Sequence, residues 1–588
     1  MAGDVRRIAG RKVAKLPAVA SAPPIAPERR GLDLSLAVWI PAAAVLLFMV
    51  LVPIVWIFVA SVHADQTERL TLANYTEAFT RAIYLHPIQN SLILASLVAV
   101  IAVTAGTVLS WAVSRTDMPG RNVIRLLTLA SFVTPSFLGA TAWIFLAAPN
   151  AGWFNRGWVA LTGAARGPLN IYSLGGAIFV ISLYSYPYTF AFVSSALELI
   201  PSEMERSAAQ LGAGWLRIAW RITLPLVRPA IIAGALLSFL EAIAEFGTPA
   251  FLLIPARQQV ITTQLYLFFQ FPSRANLAAA YAMPLLVVTG ALFALQQRLL
   301  RRGRFTTVAG KGGVRQPFRL GRWRWPLFGL CAIPPLLSLV LPYGALVATS
   351  LSHAWGRGPV PANLTFQWYR WALVENGAAH RAIAHSLIYA AVAATGATVL
   401  AFATAYTAGR RLLPGARMLS FIAMMPFVVP GIVLAIGFFA AYARPPVVLY
   451  GTAWMLIVAF ATRFLPIAYA GSESALRSID LELEHAARTL GATPLRTLGR
   501  ITLPLLRRSV LGVWLMTFIP SLRELSSAIF LFTPATAVMT TLIFDLSDAG
   551  NFEAVSALGI IMMTLTFVLV GVAYRLFGGS ALIHRRTT

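Results

Sequence analysis

Apolar residues fall along this chain in long runs, near 36–62, 91–113, 123–148, 173–198, 230–254 and 277–297. A second series lies near 326–351, 386–408, 418–442, 449–471, 509–533 and 554–577. Each run is long enough to cross a bilayer as a helix, so the pattern predicts twelve spans. The first run lacks a small-residue cleavage pattern and reads as an anchored span rather than a removed signal peptide. Polar islands separate the runs, and two of these islands are copies of each other.

Residues 203–229 read EMERSAAQLGAGWLRIAWRITLPLVRP, and residues 482–508 read ELEHAARTLGATPLRTLGRITLPLLRR. At a shift of 279 they share Glu203/Glu482, Glu205/Glu484, Ala208/Ala487, Gly212/Gly491, Ile222/Ile501, Leu224/Leu503 and Pro225/Pro504. The stretch from Glu203 to Leu211 is good helix composition, and Gly212 follows where a left-handed stop is cheap. Pro225 is tolerated in the first turn of a new helix. Each island therefore predicts a short helix, a glycine bend and a re-entry into the membrane.

The repeat extends further. Leu70-Thr71 and Tyr75 match Leu364-Thr365 and Tyr369, Ser91 matches Ser386, Pro119-Gly120 matches Pro414-Gly415, and Pro135 matches Pro430. Pro187 matches Pro466 at the later shift, which places a loss of 16 residues in the loop after the third or ninth span. That loop is long in the first half (149–172) and short in the second (443–448). Both halves start on the same side, so the two six-span units form a parallel repeat about an axis along the membrane normal. The matched prolines predict helix breaks that shape the bundle.

Charge supplies the orientation. The chain has 588 residues, 58% of them hydrophobic and 12% charged, with a formal net charge of +26. With the N-terminus in the cytoplasm, 35 of the 47 Lys and Arg fall in the segments on that side, as the positive-inside rule requires. Both termini and both islands are then cytoplasmic. The excess charge faces anionic lipid headgroups, and no nucleic acid is needed to explain it. The basic tail 1–34 reads as disordered, and the basic, Gly-containing stretch 298–324 as a flexible joint. One cysteine, Cys331, lies in an apolar run and gives neither disulfide nor zinc cluster.

Ala309-Gly310-Lys311-Gly312 lacks the upstream glycine and the Ser/Thr of a phosphate loop, and no other nucleotide-binding motif is present. No zinc helix, nucleophile turn or polar catalytic cluster appears, and the seven histidines are scattered in loops or near span ends. The sequence therefore predicts no catalytic residues, no metal site and no cofactor in this chain. Ionisable residues inside spans are costly and usually functional. Span five carries Glu241 and Glu245, which would share one helix face at i, i+4. Span eleven carries Arg523 and Glu524, the latter matching Glu245, and Arg463 lies in span ten. The carboxylates could line or gate a cation path near the two-fold axis, or each could hydrogen-bond a neighbouring helix with Arg463 or Arg523 offsetting the charge.

The spacing Ser207-Ala208-x-x-x-Gly212…Ile222-x-Leu224-Pro225, repeated as Ala486-Ala487-x-x-x-Gly491…Ile501-x-Leu503-Pro504, resembles the "EAA" loop of ABC (ATP-binding cassette) importer permeases. Arg206 and His485 stand where that family has its Glu, with Glu205 and Glu484 one residue earlier. The resemblance implies an all-α polytopic membrane protein, its twelve transmembrane helices forming two parallel six-helix repeats of the ABC type I importer permease fold. The domains it implies are a tail 1–34, a first permease domain 35–297 with coupling loop 200–229, a linker 298–325, a second permease domain 326–577 with coupling loop 479–508, and a tail 578–588. It also implies an ABC ATPase dimer, carrying ATP and Mg, docked on the two loops, and an extracytoplasmic substrate-binding protein on the other side of a bacterial inner membrane. Glu245-Phe-Gly-Thr-Pro249, Thr306-Thr-Val-x-Gly310-Lys311-Gly312, Arg523-Glu524-Leu525-Ser526 and Phe532-Thr-Pro534 resemble fused iron(III) permeases. Thiamine, polyamine, sulfate and aminoethylphosphonate permeases are similar. An ion-coupled 6+6 secondary transporter would share the repeat but has no reason to keep the two islands.

Overall fold

The computed structural model describes residues 36–65, 69–199, 203–270, 272–302, 317–358, 360–412 and 415–577. The expected tails 1–34 and 578–588, the middle half of the linker (303–316) with its Thr306–Gly312 motif, and Pro414 lie outside these. Among the described residues there is no strand, only three isolated bridges. Ten helices are long and apolar enough to cross a membrane, and two bent pairs bring the number to twelve if each pair counts as one span.

In order the spans are Leu36–Ser61, Ala82–Arg115, the pair Arg121–Val133 and Ser136–Ala147, Leu174–Leu199, Trp215–Ala244, and Ala275–Leu299. The second half follows with Gly321–Ser350, Gly377–Gly409, the pair Ala416–Phe427 and Gly431–Tyr442, Ala453–Arg477, Pro494–Leu522, and Phe552–Phe577. The bent pairs turn by 103° and 112° at Pro135 and Pro430. A proline disfavours helical backbone in the residue before it, and Thr134 is extended at φ −78°, ψ 127°. Pro135 and Pro430 then immediately precede the next helix.

Pro187 and Pro466 do not break anything, contrary to the sequence expectation. They sit inside the continuous helices Leu174–Leu199 and Ala453–Arg477. These are the two most deeply buried spans, with 78% and 67% of their apolar windows covered by protein. Packing on every side there outweighs one lost backbone bond. Pro225 also differs from expectation. The helix begins at Trp215 and passes through a π-turn at Ala219–Thr223 before Pro225. The second copy repeats the turn at Leu498–Thr502 before Pro504. Proline has no N–H and its ring presses on the carbonyl four residues back, which a wider π-turn relieves.

The repeat seen in sequence is a repeat in space. Ser91 Oγ accepts from Ile261 N at 2.8 Å, and Ser386 Oγ from Met539 N at 2.7 Å. Spans two and four form the most extensive helix pair of the first half, and eight and ten that of the second. Gly106 permits the first approach: a Cβ there would lie 2.7 Å from Tyr186 O and 2.9 Å from Phe190 N. The opening helix of each half crosses over. Span one packs on span nine, with Tyr442 Oη donating to Phe48 O at 2.8 Å. Span seven packs on span three, with the Ser131 and Ser338 hydroxyls hydrogen-bonded at 2.7 Å, and Tyr184 Oη of span four donates to Ser338 O at 2.9 Å.

Candidate functional site

Two regions carry the residues singled out in sequence. The first is the pair of islands. Glu203–Gln210 and Leu481–Thr489 are helices, and Gly212 and Gly491 end them at φ +83° and +81°. Ala213 N donates to Ala208 O at 3.0 Å and Ala492 N to Ala487 O at 3.1 Å, the six-to-one bond of a Schellman stop that favours glycine. Nothing lies within 4 Å of a Cβ built on either glycine, so both turns face open space.

The two faces of each island differ. Ser207, Gly212, Pro225, Ala486, Gly491, Leu503 and Pro504 are exposed, while Ala208, Leu224, Ile222 and Ile501 are half-buried and Ala487 is buried. Three apolar side chains are exposed at matched places in both copies: Met204/Leu483, Leu211/Leu490 and Leu216/Leu495, with Leu211 and Leu490 each 89% exposed. Sequence reasoning passed over these residues, although their apolar character at a polar island was a signal.

Glu205 and Glu484, the glutamates one residue before the family's Glu position, turn the other way, into the chain. They are 2% and 5% exposed. Thr223 Oγ1 donates to Glu205 at 2.6 Å, and Arg115 Nε lies 3.5 Å from the same carboxylate. In the second copy Arg410 grips Glu484 with Nε and a terminal guanidinium nitrogen, both at 2.8 Å, and Thr502 Oγ1 donates at 3.2 Å. Burial pushes the Glu484 carboxyl up, but the hydrogen bonds and charge of Arg410, with Thr502 and Tyr406, outweigh it and hold the group below its ordinary value.

The second region lies where the broken spans meet. Span five does not run through to 254: it stops at Ala244, Glu245 is extended at φ −66°, ψ 127°, and a new helix runs over Gly247–Leu253. Span eleven stops likewise at Leu522. Glu241 and Glu245 therefore do not share a continuous helix face. Glu245 accepts from Thr248 N at 3.3 Å and from Ser136 Oγ at 2.7 Å. Glu524 accepts from Ser527 N at 2.9 Å and Ser527 Oγ at 3.1 Å. Both carboxylates are committed to backbone N–H groups at chain breaks, where anions are favoured.

The arginines serve the opposite ends. Arg463 donates to Val429 O at 2.9 Å, and Arg523 donates to Val133 O and Phe132 O. Cations suit the carbonyl ends of helices. Glu241 is different. Among the described residues it makes no hydrogen bond or ion pair, and it lines a cavity of about 30 Å³ with Leu237, Thr289, Phe293, Phe427 and Arg463. First-half Leu237, Glu241, Thr289 and Phe293 face second-half Phe427 and Arg463 there. Near its walls, Phe293 meets Phe427 at 5.4 Å. Phe246, which follows Glu245, joins Tyr266, Phe530 and Phe544 at ring distances of 5.6–6.2 Å in an aromatic cluster shared by both halves. No group of three or more His, Cys, Asp or Glu that could hold a metal ion occurs among the described residues.

Two fused six-span repeats around a shared mid-bundle cavity, with matched polar islands at one face, define a multi-pass membrane transport component. The chain belongs to the family of binding-protein-dependent transport system inner membrane components, which matches residues 102–305 and again 397–579. It is 26% identical over 510 residues to the "Putative ferric transport system permease protein FbpB 1" of Haemophilus influenzae, covering 84% of this chain and 77% of that one. It is 24% identical over 542 residues to the ferric transport system permease protein FbpB of Actinobacillus pleuropneumoniae, covering 89% and 75%. The "Putative 2-aminoethylphosphonate transport system permease protein PhnV" of Salmonella paratyphi A is 26% identical over 230 residues, 39% of this chain and 86% of that one.

Proposed function

We propose that this chain is the membrane permease of an ATP-driven importer, that iron(III) is its substrate, and that it works by alternating access. The observation that carries the reading is the matched apolar triad, Met204/Leu483, Leu211/Leu490 and Leu216/Leu495, exposed twice on otherwise polar islands. Apolar side chains held out at equivalent places suit two equivalent partners, here the two copies of an ATPase that this chain does not contain. The positive-inside bias supports a cytoplasmic position for these faces and both termini. A binding protein delivers substrate at the opposite face. Closure of the ATPase pair draws the islands together and swings the halves from inward-open to outward-open. Glu241, which makes no hydrogen bond or ion pair among the described residues, faces the passing substrate. The names of the two ferric relatives reported above, which match 84% and 89% of the chain, support iron(III).

Two measurements test this. Leu211→Glu with Leu490→Glu, and separately Gly212→Pro with Gly491→Pro, should abolish ATPase co-purification while the chain still inserts; retained co-purification in both would refute the docking reading. Cells carrying the chain, its binding protein and its ATPase should take up radioactive iron(III) in a chain-dependent and ATP-dependent way. An active, assembled complex without iron uptake would overturn the substrate and direct the search to a phosphonate, thiamine or a polyamine.

A further inference from the structure

The exposed faces of the island helices await a partner, but their buried faces are already held by a construction that occurs twice. In the first half Arg115, the last residue of span two, reaches Glu205 on the island helix, and the same carboxylate accepts from Thr223 in the π-turn that opens span five. Arg115 also donates to Leu197 O, near the end of span four, at 3.0 Å. In the second half Arg410, capping the end of span eight, reaches Glu484, and Thr502 in the matching π-turn donates to it. Arg115 and Arg410 correspond at the earlier shift of the repeat, the glutamates and threonines at the later one. One buried carboxylate thus joins three elements in each half: a helix of more than thirty residues, the island helix and the start of the next span.

Apolar contacts would hold these elements together without fixing their rotation. A buried ion pair costs desolvation for both groups and often adds no stability over a hydrophobic replacement. What it adds is direction, above all the two-pronged grip of arginine on a carboxylate. We propose that Arg115, Glu205 and Thr223, and likewise Arg410, Glu484 and Thr502, are positioning residues. They lock each island helix to its long span, so that a displacement of the island moves spans two and five, or eight and eleven, as one body. This rests on the islands being the docking elements of the ATPase.

The two struts are unequal. The second has the bidentate grip, with Tyr406 Oη at 3.4 Å from the carboxylate. The first has a longer ion pair, Arg115 to Glu205 at 3.5 Å, with the end of the linker strapped beside it. Phe318 N donates to Arg115 O at 2.8 Å, Asp117 N to Phe318 O at 3.0 Å, and Leu320 N to Asp117 Oδ1 at 2.9 Å. The second strut should therefore transmit more through side chains, and its loss should be felt more.

The test needs no knowledge of the substrate. In the full chain assembled with its ATPase, spin labels at Leu161→Cys and Phe366→Cys, one exposed position in each half, report the distance between the halves with and without ATP. The parent complex should show an ATP-dependent change; its absence there would refute the docking reading itself. Glu484→Gln and Arg410→Lys should keep ATP hydrolysis but cut the ATP-driven shift in population by about five-fold or more, the low end of coupling between sites. Arg410→Glu with Glu484→Arg should restore part of it. Glu205→Gln should act in the same direction, less strongly. Full ATP-dependent motion in hydrolysing Glu484→Gln and Arg410→Lys complexes would overturn the proposal. If those variants fail to assemble, Thr502→Val, which keeps the ion pair, decides: a reduced motion supports the strut, an unchanged one refutes it.

Discussion

Replacing the three intramembrane glutamates one at a time separates two roles that their sequence neighbourhood cannot. Glu245 and Glu524 each accept a backbone N–H and a serine hydroxyl at a chain break. Truncation to Ala strands those donors and should cost about 1–3 kcal/mol at each site. Substitution by Gln keeps an acceptor oxygen and loses only the charge facing the helix ends, about 0.3–1 kcal/mol. For a cooperative unit the size of one half, each kcal/mol is worth about 2–4 °C of Tm. Thermal unfolding in detergent, followed by loss of the monodisperse species, should therefore rank Glu245→Ala and Glu524→Ala below their Gln counterparts, and those slightly below the parent. Glu241 makes no hydrogen bond or ion pair among the described residues, so Glu241→Gln should leave the melting temperature unchanged and alter uptake instead. Equal destabilisation by Glu241→Ala and Glu245→Ala, or none by Glu245→Ala, would refute the division.

Three further outcomes follow from the geometry. Gly106→Val should destabilise the chain by about 1–3 kcal/mol through overpacking, seen as a lower Tm, because its side chain would meet the backbone at Tyr186 and Phe190; the same change at the open Gly396 should not. The Glu484 carboxyl is held below its ordinary value, so the strut's contribution is fully present above the ordinary carboxylate range, roughly pH 4.3, and is lost as pH falls through the lowered native value. Hydrogen exchange over 481–490, corrected for intrinsic rate, should be flat from about pH 8 to pH 5 and rise only in stronger acid. Arg523→Gln withdraws the guanidinium from the Val133 and Phe132 carbonyls and should lower the Tm by the equivalent of about 1.5–3 kcal/mol, as for other bonds made by charged groups.

The all-α architecture and the repeat were legible because both rest on long, redundant signals: twelve apolar runs, and two polar copies held in one register. The islands' glycine stops were legible too, since a polar helix followed by Gly admits few other local structures. The breaks were only half legible. Pro135 and Pro430 lie at the ends of their first helices and break them, whereas Pro187 and Pro466, identical in type and equally matched, are overruled by burial on all sides. The break after Glu245 did have local marks, Gly247 and Pro249, whose ring would press on the Glu245 carbonyl of a continuous helix; what the sequence could not show is that this carbonyl accepts instead from Thr262 Oγ1 at 2.7 Å, 17 residues away. The struts escaped notice for a different reason. Arg115 and Arg410 belong to one shift of the repeat and Glu205 and Glu484 to the other, and the arginines read as ordinary positive charges at the ends of spans. Their signal was the coincidence of both shifts at one carboxylate, which needs the fold to be seen.

The mid-bundle region shows what fusing two halves permits. At the break of span nine the carbonyl end is served by Arg463 of its own half. The position matching Arg463 is Tyr184, which bonds to Ser338 instead, so the break of span three is served from across the interface by Arg523. Arg523 in turn matches Ala244, and Glu241 matches Pro520. Where the second half places an arginine, the first places a methyl group, and Ala244 is part of the cavity wall beside Glu241. Two identical chains could not divide the work in this way, because each substitution would appear on both sides. Held in one chain, the halves keep matched islands but diverge around the cavity beside Glu241 and Arg463, as the proposed function asks of two equivalent partners and a single substrate.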